Sequence, residues 1–357
     1  MCSPLVVFAN VQRSNQSSGL PNVNERTIVI VGAGFSGTIV AAHLLRRSAS
    51  TPLRVILIDR LGVVGKGVAY STTSPGHLLN VPAGRMSAFP ADEDDFLRFA
   101  RERVPGATGG SFLLRLLYGE YLDVAIRSAA AQGAGEGRRF EAMHDEVVGL
   151  EEESAITTTP RTTVRLASGA KLVADRVVLA LGNYPPADPP IGDRSFYASR
   201  RYIGDPWASG ALQNLDAAWG VLLVGTGLTM LDVALQLSGT QARGRLVAMS
   251  RRGLVPHPHR PHGAPPSYGH LPPGLIACEP TAAAYLRSMR RHARTLEHDG
   301  VDWREIMASL RPLTPRLWET LSIAERGRFL RHARTYWDTH RHRVATDVWQ
   351  RFDQLQR

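Results

Sequence analysis

Gly32-Ala33-Gly34-Phe35-Ser36-Gly37 has the spacing GxGxxG and follows a β-branched run, Thr27 to Val31. A pyrophosphate seated at a helix N-terminus is held by backbone N–H groups and the helix dipole, so the chain must come very close to it. In such a loop Gly32 allows the tight turn, Gly34 the backbone approach and Gly37 the packing of helix on strand. Asp59, followed by Arg60, stands 22 positions after Gly37 at the end of the next apolar strand, Arg54 to Ile58. A carboxylate there grips a ribose, and an acid in place of a base favours an unphosphorylated ribose such as that of FAD or NAD. The bland alternative is a glycine turn without a ligand.

Gly225-Thr226-Gly227 repeats the pattern after the strand Val221 to Val224, with Met230 in the place of the third glycine. Ser250, Arg251 and Arg252 end the next strand, Arg245 to Met249, where a ribose 2′-phosphate would meet a hydroxyl and two guanidinium forks. NADPH is the ligand implied, and a pair of solvated arginines on a strand end is the alternative.

Two polar, glycine-bearing stretches lie between these loops, Gly65 to Ser71 and His77 to Ser87. The order GAGFSG, GVAYS, HLLNVPAGRM, LYGEYL, LALGN, VGTGLTMLD, SRRG and RHR, from Thr27 to the C-terminus, resembles bacterial FAD/NAD(P)-binding proteins related to flavin-dependent N-hydroxylating monooxygenases. The resemblance implies FAD on the first loop, NADPH on the second and the flavin ring near residues 65–87. It also places Ala180-Leu181-Gly182 where such proteins carry Ala-Thr-Gly, with Leu181 replacing the threonine. His77, Asn80 and Arg85 are the polar residues expected near the flavin. Against that, His77 could cap a turn and Arg85 could pair with a surface carboxylate. In monooxygenases of this kind the bound cofactors carry the chemistry, and the protein supplies position, electrostatics and exclusion of water. Few catalytic side chains are then expected, and no acid–base pair stands out.

His257, His259, His262 and His270 sit among prolines without metal-ligand spacing and read as a solvated loop. His340-Arg341-His342-Arg343 either reaches a cofactor phosphate or forms a basic helix face. GxSxG, HExxH and Walker-type loops are absent, so hydrolase and kinase readings have no support. Two cysteines, Cys2 and Cys278, exclude a disulfide framework and a CxxC redox pair. The net charge of +10 is spread along the chain with no nucleic-acid module, so a small-molecule substrate is expected rather than nucleic acid. No apolar run approaches the ~20 residues of a membrane span, and Leu5 to Ala9 is too short for a signal peptide, which reads as a cytoplasmic protein.

The elements that must position these residues follow from periodicity and punctuation. At 357 residues the chain exceeds one ordinary core. The expected fold is α/β, with two Rossmann-like βαβ units and a helical C-terminal part. A mobile extension over 1–26 would precede an FAD-binding segment, 27–190, and an NAD(P)-binding segment with a helical end, 191–357. Helices are expected over 36–47, 92–103, 112–131 and 228–237, with a long ordered loop from 62 to 90. Further strands are expected at 146–151, 162–166 and 175–181. Helical sequence runs from Thr281 to Arg357 with breaks at Gly300 and at Pro312 to Pro315. The chain stops there without the strands that finish both sheets in such proteins, so a shortened sheet with weakened FAD binding is expected. An NADPH-dependent flavin oxidoreductase, a flavin reductase for a protein partner and a dinucleotide-binding protein without turnover remain as readings.

Overall fold

The computed structural model describes residues 25–47, 51–72, 74–152, 161–213, 215, 220–239, 244–260 and 269–357. The expected extension over 1–26 lies outside these except for Glu25 and Arg26, and so do Cys2, Leu5 to Ala9 and His262. Two units result. One holds the described residues up to Val64 together with Ile126–Ala180, the other Gly65–Ala125 together with Leu181–Arg357. Residues 65–125, placed by sequence within 27–190, thus group with the C-terminal part.

The first unit begins with strand β1 (Arg26–Val31), helix α1 (Phe35–Arg46) and strand β2 (Leu53–Asp59). It continues with β3 (Arg138–His144), β4 (Val147–Glu152), β5 (Thr162–Leu166), β6 (Lys171–Ala174) and β7 (Arg176–Leu179). A parallel sheet has the order β3-β2-β1-β7, and β4-β5-β6 form a separate antiparallel sheet. Strands covered on both faces need continuous apolar runs, which β1 and β2 supply. Val29, Val31, Ile56 and Ile58 pack against Val164, Leu166 and Ala174 of the small sheet. Ile30 points the other way, toward α1, where its Cγ2 lies close beneath Gly37. The edge strand β3 had no counterpart in the sequence reading. Its RRFEAMH mixes charge with apolar residues, because an edge strand beside α-helix and solvent needs no apolar run, and Arg54 of β2 clamps its Glu141 bidentately at 2.8 and 2.7 Å.

In the second unit come α2 (Gly67–Tyr70), α3 (Asp95–Arg101) and α4 (Arg115–Ala134), whose last turns belong to the first unit. The loop expected over 62–90 is ordered by backbone bonds: Leu79 N–H donates to Leu113 O at 2.7 Å and Ala83 N–H to Ser111 O at 2.9 Å. Phe96, Phe99, Tyr118 and Tyr121 stack beneath it, and the Tyr121 hydroxyl accepts from Ala88 N–H at 3.0 Å while donating to Asp95 at 2.7 Å.

The second βαβ turn follows as β8 (Val221–Val224), α5 (Leu228–Ser238) and β9 (Leu246–Met249), the two strands parallel in a two-stranded sheet. Helices α6 (Ala282–His298), α7 (Trp303–Ser309), α8 (Thr314–Thr320), α9 (Ile323–His332), α10 (Arg334–Arg341) and α11 (Thr346–Leu355) complete the chain. Thr281, Asp302 and Ser322 cap α6, α7 and α9 with side-chain oxygens. One core joins Met230, Leu231 and Leu235 of α5 to Val348 and Phe352 of α11; another joins Ile306, Met307 and Leu310 to Leu275. Among the described residues no helix is long and apolar enough to cross a membrane.

Candidate functional site

The first glycine loop is held from both sides. Gly32, at φ +100°, turns the chain out of β1, and its N–H donates to Ile58 O at 2.8 Å. A Cβ on Gly37 would stand 1.9 Å from the Gly32 carbonyl oxygen, so only glycine lets α1 lie this close to the turn. Ala33 is buried, whereas Phe35 and Ser36 face solvent. Gly34 caps α1 with no side-chain hydrogen bond and with no acid in the first turn, which leaves the positive end of the helix without its own counter-charge. Asp59 ends β2 and accepts from Ala33 N–H at 2.9 Å and from Leu61 N–H at 2.8 Å. Arg60 extends into solvent, its carbonyl bonded to His144 Nε2 at 3.0 Å. Ala180 prolongs the β7–β1 ladder through its N–H to Val31 O at 2.8 Å.

The second unit contains the same turn. Gly225 has φ +115° and donates to Met249 O at 2.8 Å, and Gly227 caps α5 at φ −83°, ψ −169°, against −69°, −169° for Gly34. Met230, in the third glycine's place, is buried in the α5–α11 core. Among the described residues, a Cβ on Gly225 or Gly227 would meet nothing within 4 Å. Ser250 accepts from the Thr226 hydroxyl at 2.7 Å and from Gly253 N–H at 3.1 Å, which ties the strand end to the loop. Arg252 donates to the Tyr336 hydroxyl at 3.1 Å, and Arg251 is exposed. Gly182, at φ +69°, is exposed.

His77, Asn80 and Arg85 do not share one environment. His77 is 2% exposed, with Nδ1 2.6 Å from Thr72 Oγ1, the ring edge-on to Trp207 and Nε2 without a hydrogen-bond partner among the described residues. Burial lowers its pKa against the pull of Asp232. Arg115 pairs with Asp232 at 2.8 Å in a nearly dry setting and fixes the same loop by donating from Nε to Leu78 O at 2.9 Å. Burial pushes the Asp232 carboxyl up, with Arg115 opposing. Asn80 and Arg85 line a cavity of about 210 Å³ together with His259 and the run Arg341-His342-Arg343. His259 Nε2 is 3.0 Å from the Asn80 carbonyl and must donate, since that oxygen only accepts. Burial, with Arg343 close by, lowers His259 to about 4. His257 packs edge-on to Trp303 and His340.

Residues 29–184 match the FAD-NAD(P)-binding family model. No curated protein matches the chain. Among solved structures, ornithine hydroxylase (PvdA) from Pseudomonas aeruginosa superposes with TM-score 0.52 at 16% identity, over 93% of this chain and 69% of that one. Its reduced form gives 0.51 at 17%, over 92% and 68%. A cyclohexanone monooxygenase mutant from Rhodococcus sp. Phi1, bound to NADP+, gives 0.47 at 22%, over 66% and 40%. The chain spans 40% of the length of that monooxygenase. The hydroxylase likeness shows the fold, α/β with Rossmann-like βαβ units and a helical C-terminal part, as read from the sequence.

Within the matched segment 29–184, the loop from Gly32 to Gly37 and the carboxylate of Asp59 come together as their spacing required. The close approach at Gly37 and the uncapped α1 fit a dinucleotide pyrophosphate. Sequence reasoning missed Arg115 and Asp232. The signal was present, since an aspartate inside the otherwise apolar LTMLDVALQL helix must find a buried partner.

Proposed function

We propose that this chain is an FAD- and NAD(P)H-dependent oxidoreductase of monooxygenase type acting on a small molecule. The observation that supports this is one turn built twice, with matching glycine dihedrals and matching N–H to strand-end bonds at Gly32 and Gly225. Each copy ends in different chemistry, Asp59 on the first and Ser250-Arg251-Arg252 on the second. Residues 27–190 are assigned to FAD and 191–357 to the nicotinamide cofactor. Bound together, these cofactors supply hydride transfer and oxygen activation. The chain's own contribution is binding and orientation. The α1 N-terminus holds a pyrophosphate, Asp59 accepts from a ribose hydroxyl, and Arg251 with Ser250 reads a 2′-phosphate in preference to a hydroxyl.

The deciding experiment is an absorption spectrum of the purified protein with added FAD, before and after NADPH in air. Flavin bands that bleach with NADPH and return in air, with oxygen consumed, are the expected outcome. A protein that takes up no FAD removes the enzyme reading and selects a dinucleotide-binding protein without turnover. Reduction that passes to an added protein acceptor, with no oxygenated product, selects a flavin reductase.

A further inference from the structure

Six arginines line the cavity described above, Arg85, Arg260, Arg304, Arg311, Arg341 and Arg343, against a single lining carboxylate, Glu305. Two of the six have carboxylate partners in the protein. Arg260 pairs with Glu305, and Arg304 clamps Asp302 at 2.9 and 3.2 Å while its Nε donates to Pro258 O at 2.9 Å. Arg311, Arg341 and Arg343 have no carboxylate partner among the described residues, and the Nε of Arg343 is buried without any hydrogen-bond partner there. They come from separate places in the chain, Arg311 from the turn after α7, Arg341 from the end of α10 and Arg343 just beyond it.

Crowding guanidinium groups in one concavity is unfavourable unless an anion answers them, because each is desolvated and repels its neighbours. The strain is visible in their acidity: burial, with Arg304 and Arg341 nearby, lowers Arg343 to about 10, and burial with Arg311 lowers Arg341.

We infer that this cavity binds a dianionic phosphate group carried by a small molecule. A phosphate offers three acceptor oxygens and close to two charges to the three unanswered forks, whereas a monocarboxylate offers two oxygens and one charge. At about 210 Å³ the cavity is smaller than the roughly 300–1,000 Å³ of drug-sized sites, so it takes the charged head of a ligand and not a whole dinucleotide. Such a phosphate belongs either to the substrate or to the nicotinamide cofactor. His259, kept neutral and donating to Asn80, closes one wall without adding charge.

The full-length protein is titrated with inorganic phosphate at constant ionic strength, balanced with chloride, and followed by calorimetry and thermal unfolding. Saturable binding and a raised Tm are expected in the wild type. Arg343→Gln and the exposed, structurally undemanding Arg311→Gln should each weaken binding about tenfold or more, while Arg290→Gln, the same charge change on α6, leaves it unaltered. Repeating the titration with saturating NADP+ separates the two sources: phosphate binding that is lost assigns the site to the cofactor, and binding that persists assigns it to the substrate. The proposal is overturned if phosphate gives no saturable effect, if the cavity variants bind it as the wild type does, if Arg290→Gln weakens it equally, or if succinate binds more tightly than phosphate. Flavin is not needed for this measurement, so a colourless protein would end the oxidoreductase reading and leave this one standing.

Discussion

A single added methyl group tests the first loop. Gly37→Ala puts a Cβ 1.9 Å from the Gly32 carbonyl oxygen, and the loop or the helix must move to admit it. Overpacking of this kind costs about 1–3 kcal/mol, and a displaced turn no longer presents its N–H groups together. A lower Tm and loss of FAD uptake are expected; an unchanged Tm would show that the close packing is not essential. His259 makes a second residue-scale prediction. Its folded pKa of about 4 lies below the ordinary histidine value of about 6.5, so the unfolded chain binds more protons between these limits. Stability is therefore full above about pH 6.5 and falls as pH drops toward about 4, by at most about 3 kcal/mol. Burial lowers His77, His257 and His342 too, which adds in the same direction. The urea midpoint should fall between pH 7.5 and pH 5, and His259→Asn should flatten that fall.

At the scale of elements, α4 and α5 are locked by the nearly dry pair of Arg115 and Asp232. Removing one member strands the other charge, so Arg115→Gln should cost about 3–5 kcal/mol, more than the apolar double variant Arg115→Met with Asp232→Leu. Chemical denaturation of Arg115→Met, Asp232→Leu and the double variant measures this, and a double loss equal to the sum of the two single losses would mean that the pair is not coupled. The elements themselves were legible to different degrees. Strands β5 and β8 have the bounds their alternation and flanking turns predict, and Gly300 at φ +73° breaks the C-terminal helices where expected. The strand β3 was not legible, because its membership in the sheet depends on its neighbour β2 and not on its own pattern.

Over the whole molecule, the two glycine turns lie in different units, which allows their ligands to be tested separately. Arg251→Gln should lower the preference for NADPH over NADH about tenfold and leave FAD content unchanged, as read by steady-state kinetics and flavin absorbance. A variant that loses FAD instead would overturn the assignment of the second loop. The amino-acid sequence alone determined the first loop, its carboxylate and the repeated βαβ theme, because each rests on local spacing: a turn, the strand before it and the helix after it. The cavity was decided only by tertiary structure. Arg85, Arg260, Arg304, Arg311, Arg341 and Arg343 follow no common period, and a +10 chain gives many arginines that look alike in sequence. Folding brought these six together, set the carboxylates of Asp302 and Glu305 against Arg304 and Arg260, and left Arg311, Arg341 and Arg343 facing the same space without one. Charge compensation is a property of distances through space, and those exist only once the helices have packed.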